Sequence, residues 1–288
     1  MRTITVPSAM REWADDERRS VRTIGFVPTM GALHAGHMEL MRTAKRLTET
    51  TVVSIFVNPL QFGEQNDLES YPRPIDNDLE ICATAGVDVV YAPTAAAMYP
   101  ADFQTQLTLG PLAEVMEGAS RTGHFDGVAT VVTKLFNAVL PHVAVFGEKD
   151  FQQLAIIRQM TRDLDLGIEI VGQPTVREPD GLAISSRNTR LDTNQRRAAA
   201  CFPRTLDAAA KLALEEGYSP AEIIEASHSR IADEPLARVD YLSIFDATTL
   251  QSVSKFTLEQ RRPGQVRIGG AVRFGDVRLI DNRDLFSP

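Results

Sequence analysis

Apolar residues in the first half of the chain fall in short continuous runs, separated by longer stretches with helical periodicity. Residues 21–27 read as a buried strand. Residues 51–57, Thr-Val-Val-Ser-Ile-Phe-Val, form a β-branched run suited to a central parallel strand. Further strands are predicted at 87–91, 143–146 and 168–171, and amphipathic helices at 36–48, 76–85, 128–139 and 151–164. Strands alternating with helices of this length imply crossover units on a parallel sheet, a Rossmann-like, doubly wound α/β fold. From about Val176 the texture changes. Alanine-rich amphipathic helices at 192–216 and 220–232 are followed by short strands near 239–244, 265–268 and 277–280, with turns such as Arg262-Pro263-Gly264. The reading is a first domain over 1–175 and a smaller α+β domain over 176–288, acting as a lid.

In parallel sheets ligands sit beyond the carboxyl ends of strands, and the polar motifs of this chain fall there. After the first predicted strand comes Met30-Gly31-Ala32-Leu33-His34-Ala35-Gly36-His37; after 51–57 comes Asn58-Pro59-Leu60-Gln61; after 143–146 comes Gly147-Glu148-Lys149-Asp150. A strand giving way to a helix is a natural phosphate site, because the first helical amides lack intrahelical partners and the helix dipole is positive there. Gly31 and Gly36 let the backbone approach a ligand, and His34 and His37, three residues apart, project from nearly the same side of the first turn. Metal binding is the competing reading of this pair. A catalytic zinc usually needs three protein ligands, and His124, His142 and His228 stand far off with no metal-type spacing. Neither a Walker A loop nor a Gly-x-Gly dinucleotide fingerprint is present. The phosphates would be held by the His34/His37 turn, by Lys149 and by Ser185-Ser186-Arg187-Asn188, whose hydroxyls and guanidinium suit a mobile clamp.

Composition adds exclusions. With 30 Lys and Arg against 38 Asp and Glu, the net charge of −8 argues against an extended nucleic-acid surface. Cys82 and Cys201 indicate no disulfide framework. The first residues lack the apolar stretch of a signal peptide and no apolar run could span a membrane, so a cytoplasmic protein is expected.

Several segments together carry a family resemblance. Residues 28–37 (Pro-Thr-Met-Gly-Ala-Leu-His-Ala-Gly-His), 54–62 (Ser-Ile-Phe-Val-Asn-Pro-Leu-Gln-Phe), Tyr71-Pro72-Arg73 and 123–128 (Gly-His-Phe-Asp-Gly-Val) belong to the set. So do 146–154 (Phe-Gly-Glu-Lys-Asp-Phe-Gln-Gln-Leu), 185–188 (Ser-Ser-Arg-Asn) and 278–282 (Arg-Leu-Ile-Asp-Asn). His-x-Gly-His with a late Ser-Ser-Arg loop resembles the nucleotidylyltransferase superfamily, and the whole set, from near residue 20 to near 282, resembles the pantoate–β-alanine ligase family.

The resemblance implies an ATP-dependent condensation of pantoate with β-alanine through a pantoyl-adenylate, giving pantothenate, AMP and pyrophosphate. It implies that His34 and His37 bind phosphate oxygens, His37 also donating a proton, and that Lys149, Ser185, Ser186 and Arg187 hold the triphosphate. Met30, Gly31, Ala32, Leu33, Ala35, Gly36, Gly147, Glu148, Asp150, Val176 and Ile184 would line the ATP site. Gln61 and Gln153 would bind pantoate, with Asn58 and Tyr71 at the border, and β-alanine would approach near Gln61. Mg²⁺ would bridge the phosphates, with Asp78 as an outer ligand, and the protein would be a homodimer. Ile184 stands where methionine is expected, Asn77 lies in a stretch often more acidic, and Arg121-Thr122 differs slightly from the usual lead-in to His124. Another small-molecule nucleotidylyltransferase, sharing the first motif, is the alternative. A non-catalytic nucleotide-binding module and an aminoacyl-tRNA synthetase fragment fit less well: the first for the polar density at three strand ends, the second for the acidic charge.

Overall fold

The structure, a computed structural model, describes residues 1–62, 68–69, 71–215 and 217–287. It forms two compact units: Met1–Glu148 with Ile156–Pro174, and Lys149–Ala155 with Thr175–Pro288. Lys149–Ala155, expected in the first domain, therefore belongs to the second. The cause is visible in its contacts: Asn282 Nδ2 donates to the Lys149 carbonyl (2.9 Å), the Arg267 guanidinium lies 4.3 Å from the Phe151 ring centre, and Phe151 meets Phe245.

The first unit holds a six-stranded parallel sheet of β1 (Arg2–Ile4), β2 (Ile24–Thr29), β3 (Thr50–Ile55), β4 (Val89–Tyr91), β5 (Val143–Gly147) and β6 (Glu169–Gln173). The strand order is β1-β4-β3-β2-β5-β6. From β2 the chain steps one way to β3 and β4, then returns to add β5 and β6 on the other side. The order reverses between β2 and β5, where an open α/β sheet leaves its ligand crevice. Helices α1 (Pro7–Arg19), α2 (Ala35–Leu47), α3 (Ile75–Thr84) and α4 (His124–Val139) are among the connections. Helix α4 is apolar along most of its length, and Phe136 meets both Phe26 of β2 and Phe146 of β5 edge-on. His142 Nδ1 accepts the Ile24 amide hydrogen (2.9 Å); burial, helped by Arg18, holds this imidazole below its ordinary pKa and so keeps the acceptor available.

Among the elements of this unit that escape the sequence reading are its first strand and its first helix. β1 is a three-residue edge strand, and α1 buries only Met10, Ala14 and Glu17, too narrow an apolar stripe to register.

Helix α5 (Phe151–Asp163) starts in the second unit and ends in the first. The second unit's antiparallel sheet orders β7 (Ala237–Asp246), β8 (Val266–Phe274) and β9 (Val277–Asp284) consecutively. Against it lie α6 (Thr193–Ala199), α7 (Cys201–Leu214) and α8 (Pro220–Ala232), sharing a core that includes Phe202, Leu206, Ile223, Ile268 and Phe274. The single helix predicted over 192–216 is broken at Ala200. Pro203 explains the break: it has no N–H to bond a carbonyl four residues back, and its ring crowds that carbonyl. Glu216, the predicted end of that helix, lies outside the described residues.

β8 runs well past the predicted 265–268. Gly269 and Gly270 read as a strand end, yet the strand needs them. A Cβ on Gly270 would stand 2.3 Å from the Tyr241 carbonyl oxygen, and one on Gly269 would stand 2.9 Å from Asn282 Cβ. Cys82, fully buried in the first unit, and Cys201, in the second, are free thiols. Burial, with the Asp78 charge adding, pushes Cys82 up to about 12; burial and Glu234 push Cys201 up to about 11.

Candidate active site

β2 ends at Thr29, whose hydroxyl donates to the Ser54 carbonyl (2.7 Å) and accepts the Gly31 amide (3.1 Å). The chain then turns through left-handed backbone at Gly31 (φ +83°) and Ala32 (φ +51°). Glycine is needed at 31, since a Cβ would stand 2.8 Å from Asp78 Oδ2. His34 caps α2 with its Nδ1, which accepts the Gly36 amide (3.1 Å), while His37 Nδ1 accepts the His34 amide (3.2 Å). The rings lie 4.1 Å apart, centre to centre. An imidazole nitrogen that accepts from a backbone N–H carries no proton, so the hydrogen-bond pattern assigns the ring hydrogen of each histidine to Nε2. Two adjacent N–H donors of fixed tautomer, at the positive end of a helix, suit an anion.

After β3, Asn58 caps the turn Pro59–Gln61. Gln61 Nε2 donates to Met30 Sδ (3.1 Å) and Gln61 Oε1 accepts from Asn58 Nδ2 (3.0 Å). Asn58 is 1% exposed. Its Nδ2 also donates to the Gly127 carbonyl, and its Oδ1 accepts from the Tyr99 hydroxyl (2.8 Å) and the Leu60 amide. Burial pushes the Tyr99 phenol well above its usual pKa, which keeps it a donor. The Gln61 carbonyl lies 2.8 Å from His124 Nδ1. This turn sits directly on α4, where a Gly127 Cβ would come within 2.3 Å of the Leu60 carbonyl oxygen. Gly127→Ala is therefore expected to displace the turn and lower stability by about 1–3 kcal/mol, the usual cost of overpacking. Urea unfolding of the variant beside the parent measures it.

In the second unit a small cleft is lined by Lys149, Ser185, Arg187 and Asn188 together with Arg278 and Asp281. Three segments far apart in sequence converge there. Ser185 Oγ accepts the Arg187 amide (3.3 Å) at the start of the turn Ser186–Arg190, and Ile184 N–H bonds the Val176 carbonyl (2.9 Å). Asp281 is committed elsewhere: Arg177 grips it through Nη1–Oδ2 (2.7 Å) and Nη2–Oδ1 (2.9 Å). Arg187 brings a cation suited to phosphate to the cleft, while Lys149 lies 3.7 Å from Asp150 and Arg278 is paired with Asp240 (2.7 Å).

The structure joins Met30, the 31–33 turn, His34 and His37 with Gln61 and Asn58 in the first unit, and Lys149, Ser185 and Arg187 in the second. Gly147 ends β5 and Glu148 opens the turn Glu148–Asp150. Tyr71 packs edge-on against Phe62 (5.8 Å), and Gln153 is half-buried in the first turn of α5.

His37 is half-buried and part of a helix cap. Asn58, expected beside a ligand, has both amide hydrogens and its carbonyl oxygen bonded within the protein, and its work is to orient Gln61. Asp78, expected as an outer metal ligand, has each carboxylate oxygen accepting a backbone amide, Ala32 (2.9 Å) and Leu33 (2.8 Å). Among the described residues no group of three His, Cys, Asp or Glu could hold a metal ion. Sequence reasoning gave no role to Tyr99, His124, Gly127 or Arg278. The segments 123–128 and 278–282 pointed near three of them, whereas nothing in the sequence distinguishes Tyr99 from a core aromatic.

Known proteins match this architecture along its whole length. The family model described as pantoate-beta-alanine ligase matches residues 2–284. The pantothenate synthetase of Sinorhizobium medicae is 49% identical over 98% of this chain and 96% of its own length. That of Desulfatibacillum aliphaticivorans is 47% identical over 99% of each. Among solved structures, the Thermus thermophilus pantothenate synthetase superposes with a TM-score of 0.92 at 43% identity, covering 100% of both chains. The Francisella tularensis pantoate-beta-alanine ligase, solved with β-γ ATP and β-alanine, gives a TM-score of 0.80 at 32% identity over 100% of this chain and 99% of that one. Fold, site geometry and full-length similarity agree: the chain belongs to the pantoate–β-alanine ligase family.

Proposed function

We propose that the chain joins pantoate to β-alanine at the expense of ATP, in two steps. Pantoate's carboxylate attacks the α-phosphorus of Mg·ATP; the bond to the β-phosphate oxygen breaks and pyrophosphate leaves. The β-alanine amine then attacks the acyl carbon of the pantoyl-adenylate, and AMP departs as the amide forms. Activation is needed because a free carboxylate is a poor electrophile. The observation that carries this reading is the reciprocally capped histidine pair, His34 and His37, at the point where the strand order reverses. Their Nε2 hydrogens donate hydrogen bonds to phosphate oxygens and stabilise the charge that grows at the α-phosphorus and on the leaving pyrophosphate.

Lys149, Ser185, Ser186 and Arg187 hold the triphosphate. Gln61, whose amide can both donate and accept, binds pantoate with Gln153, Tyr71 closing the border. Val176 and Ile184, with Met30, Ala35, Gly36, Gly147, Glu148 and Asp150, line the nucleotide site. Mg²⁺ would enter with ATP and supply charge neutralisation on its phosphates. A homodimer in the cytoplasm completes the reading, on the family's example.

Pyrophosphate release from Mg·ATP and pantoate, with and without β-alanine, tests the reaction. Release limited to about one equivalent per site without the amine, followed by AMP and amide once it is added, is expected. No pantoate-dependent release would return the chain to the wider nucleotidylyltransferases. Gln61→Ala is expected to raise the KM for pantoate by about tenfold or more, the loss of one or two hydrogen bonds, and that for ATP far less. Equal losses would move pantoate elsewhere.

A further inference from the structure

In the turn after β2, successive backbone amides are held by side chains rather than by a backbone ladder. Gly31 N–H donates to Thr29 Oγ1, Ala32 N–H to Asp78 Oδ2, Leu33 N–H to Asp78 Oδ1, and His34 N–H to His37 Nδ1. Asp78 supplies half of these acceptors, from the first turn of α3, and is 1% exposed. The Ala32–Leu33 stretch that it grips includes the left-handed Ala32 (φ +51°), a conformation an alanine adopts reluctantly and a glycine freely. Directly after it comes His34, whose amide and ring nitrogen both belong to the capping pair.

We propose that Asp78 is a positioning residue: its carboxylate bridges the Ala32 and Leu33 amides, fixes the left-handed turn, and so sets where the Nε2 hydrogens of His34 and His37 stand for phosphate. The proposal deepens the functional reading above and rests on it. It also assigns the turn's chemistry. The Ala32 and Leu33 amides point at Asp78, so a phosphate here meets imidazole donors rather than those two backbone donors. A neutral amide at 78 would keep the volume but lose one acceptor oxygen, placing an NH₂ group against a backbone N–H.

The test is pantoate-dependent pyrophosphate release by the full chain, with Mg²⁺ titrated. Asp78→Asn is expected to lower kcat on the order of 100-fold, the cost of misplacing catalytic groups by about an ångström. The Mg²⁺ concentration for half-maximal rate should not move. Adding Ala32→Gly to Asp78→Asn should recover about tenfold, because glycine takes up the left-handed turn without being held; a residue that only supports folding would not be rescued this way.

A rate within about twofold of the parent, or no recovery with Ala32→Gly, overturns the proposal. So does activity restored by excess Mg²⁺, which would make Asp78 a metal ligand. Should Asp78→Asn fail to fold, Gly31→Ala takes its place: the new Cβ drives the carboxylate from its seat. It should cost a comparable factor in kcat, and a full rate in that variant sinks the idea. A parent protein that releases no pyrophosphate with pantoate defeats the functional reading instead, which keeps the two failures distinct.

Discussion

Replacing His37 by alanine is expected to slow pantoate-dependent pyrophosphate release by about 10²–10³-fold, the usual cost of deleting one preorganised donor to a developing oxyanion. The same change removes the acceptor of the His34 amide, so folding should weaken as well, by about 0.5–2 kcal/mol for a lost helix cap. The two effects can be separated. Glutamate at the third helical position is the standard partner in a capping box and accepts the same amide, but its carboxylate cannot donate to phosphate and repels it. His37→Glu should therefore regain the thermal midpoint of the parent while remaining slow. If His37→Ala turned over within a few-fold of the parent, the charge-stabilising role would pass to His34 alone. If His37→Glu were both stable and fast, the pair would be structural only.

Asp281→Ala should destabilise the second unit strongly. Asp281 is 4% exposed and meets Arg177 through two parallel hydrogen bonds, while Arg177 also donates to the Gly181 carbonyl. Burial alone would depress the guanidinium's pKa, yet the Asp281 carboxylate outweighs it and holds Arg177 above its ordinary value. Removing the carboxylate strands a half-buried cation. About 3 kcal/mol is expected, at the low end for a broken buried pair because part of Arg177 reaches solvent. The loss should have a functional echo. Asp281 Oδ1 also accepts the Asn282 amide, and the Asn282 side chain bonds the Lys149 carbonyl. The KM for Mg·ATP should therefore rise along with the loss of stability. Asp281→Asn, which keeps one acceptor, should recover part of both. Urea unfolding and initial rates on the same preparations decide it; an unchanged unfolding midpoint would show that Arg177 finds another partner.

The apolar runs of β2, β3, β4 and β5 were legible because buried parallel strands read as continuous hydrophobic stretches. Helix α1 was not, since its exposed face of Arg11, Glu12, Asp15 and Arg18 outweighs its narrow buried stripe. The ends of elements failed where tertiary contact overrode local preference. Gly269 and Gly270 look like a strand terminus and are instead the points of closest strand approach. In the candidate site the charged and donor residues were legible from their type and place: His34, His37, Lys149, Ser185 and Arg187 all follow strand ends or open helical turns. What could not be read was which polar side chains spend themselves on the protein. Asn58 and Asp78 look like ligands in sequence, and only the partners that fold against them, Tyr99, Gly127 and the 32–33 amides, reveal that they also hold the protein's own groups.

Each unit carries one thiol, Cys82 in the first and Cys201 in the second, and burial raises both well above the ordinary thiol pKa, so at neutral pH both stay in the unreactive thiol form. An alkylating reagent such as iodoacetamide should thus leave the folded chain almost untouched and label each cysteine at the rate its surroundings open. Mass spectrometry of the two peptides then gives two independent clocks without any added probe. A substrate that stiffens one unit and leaves the other loose would slow one clock and spare its companion.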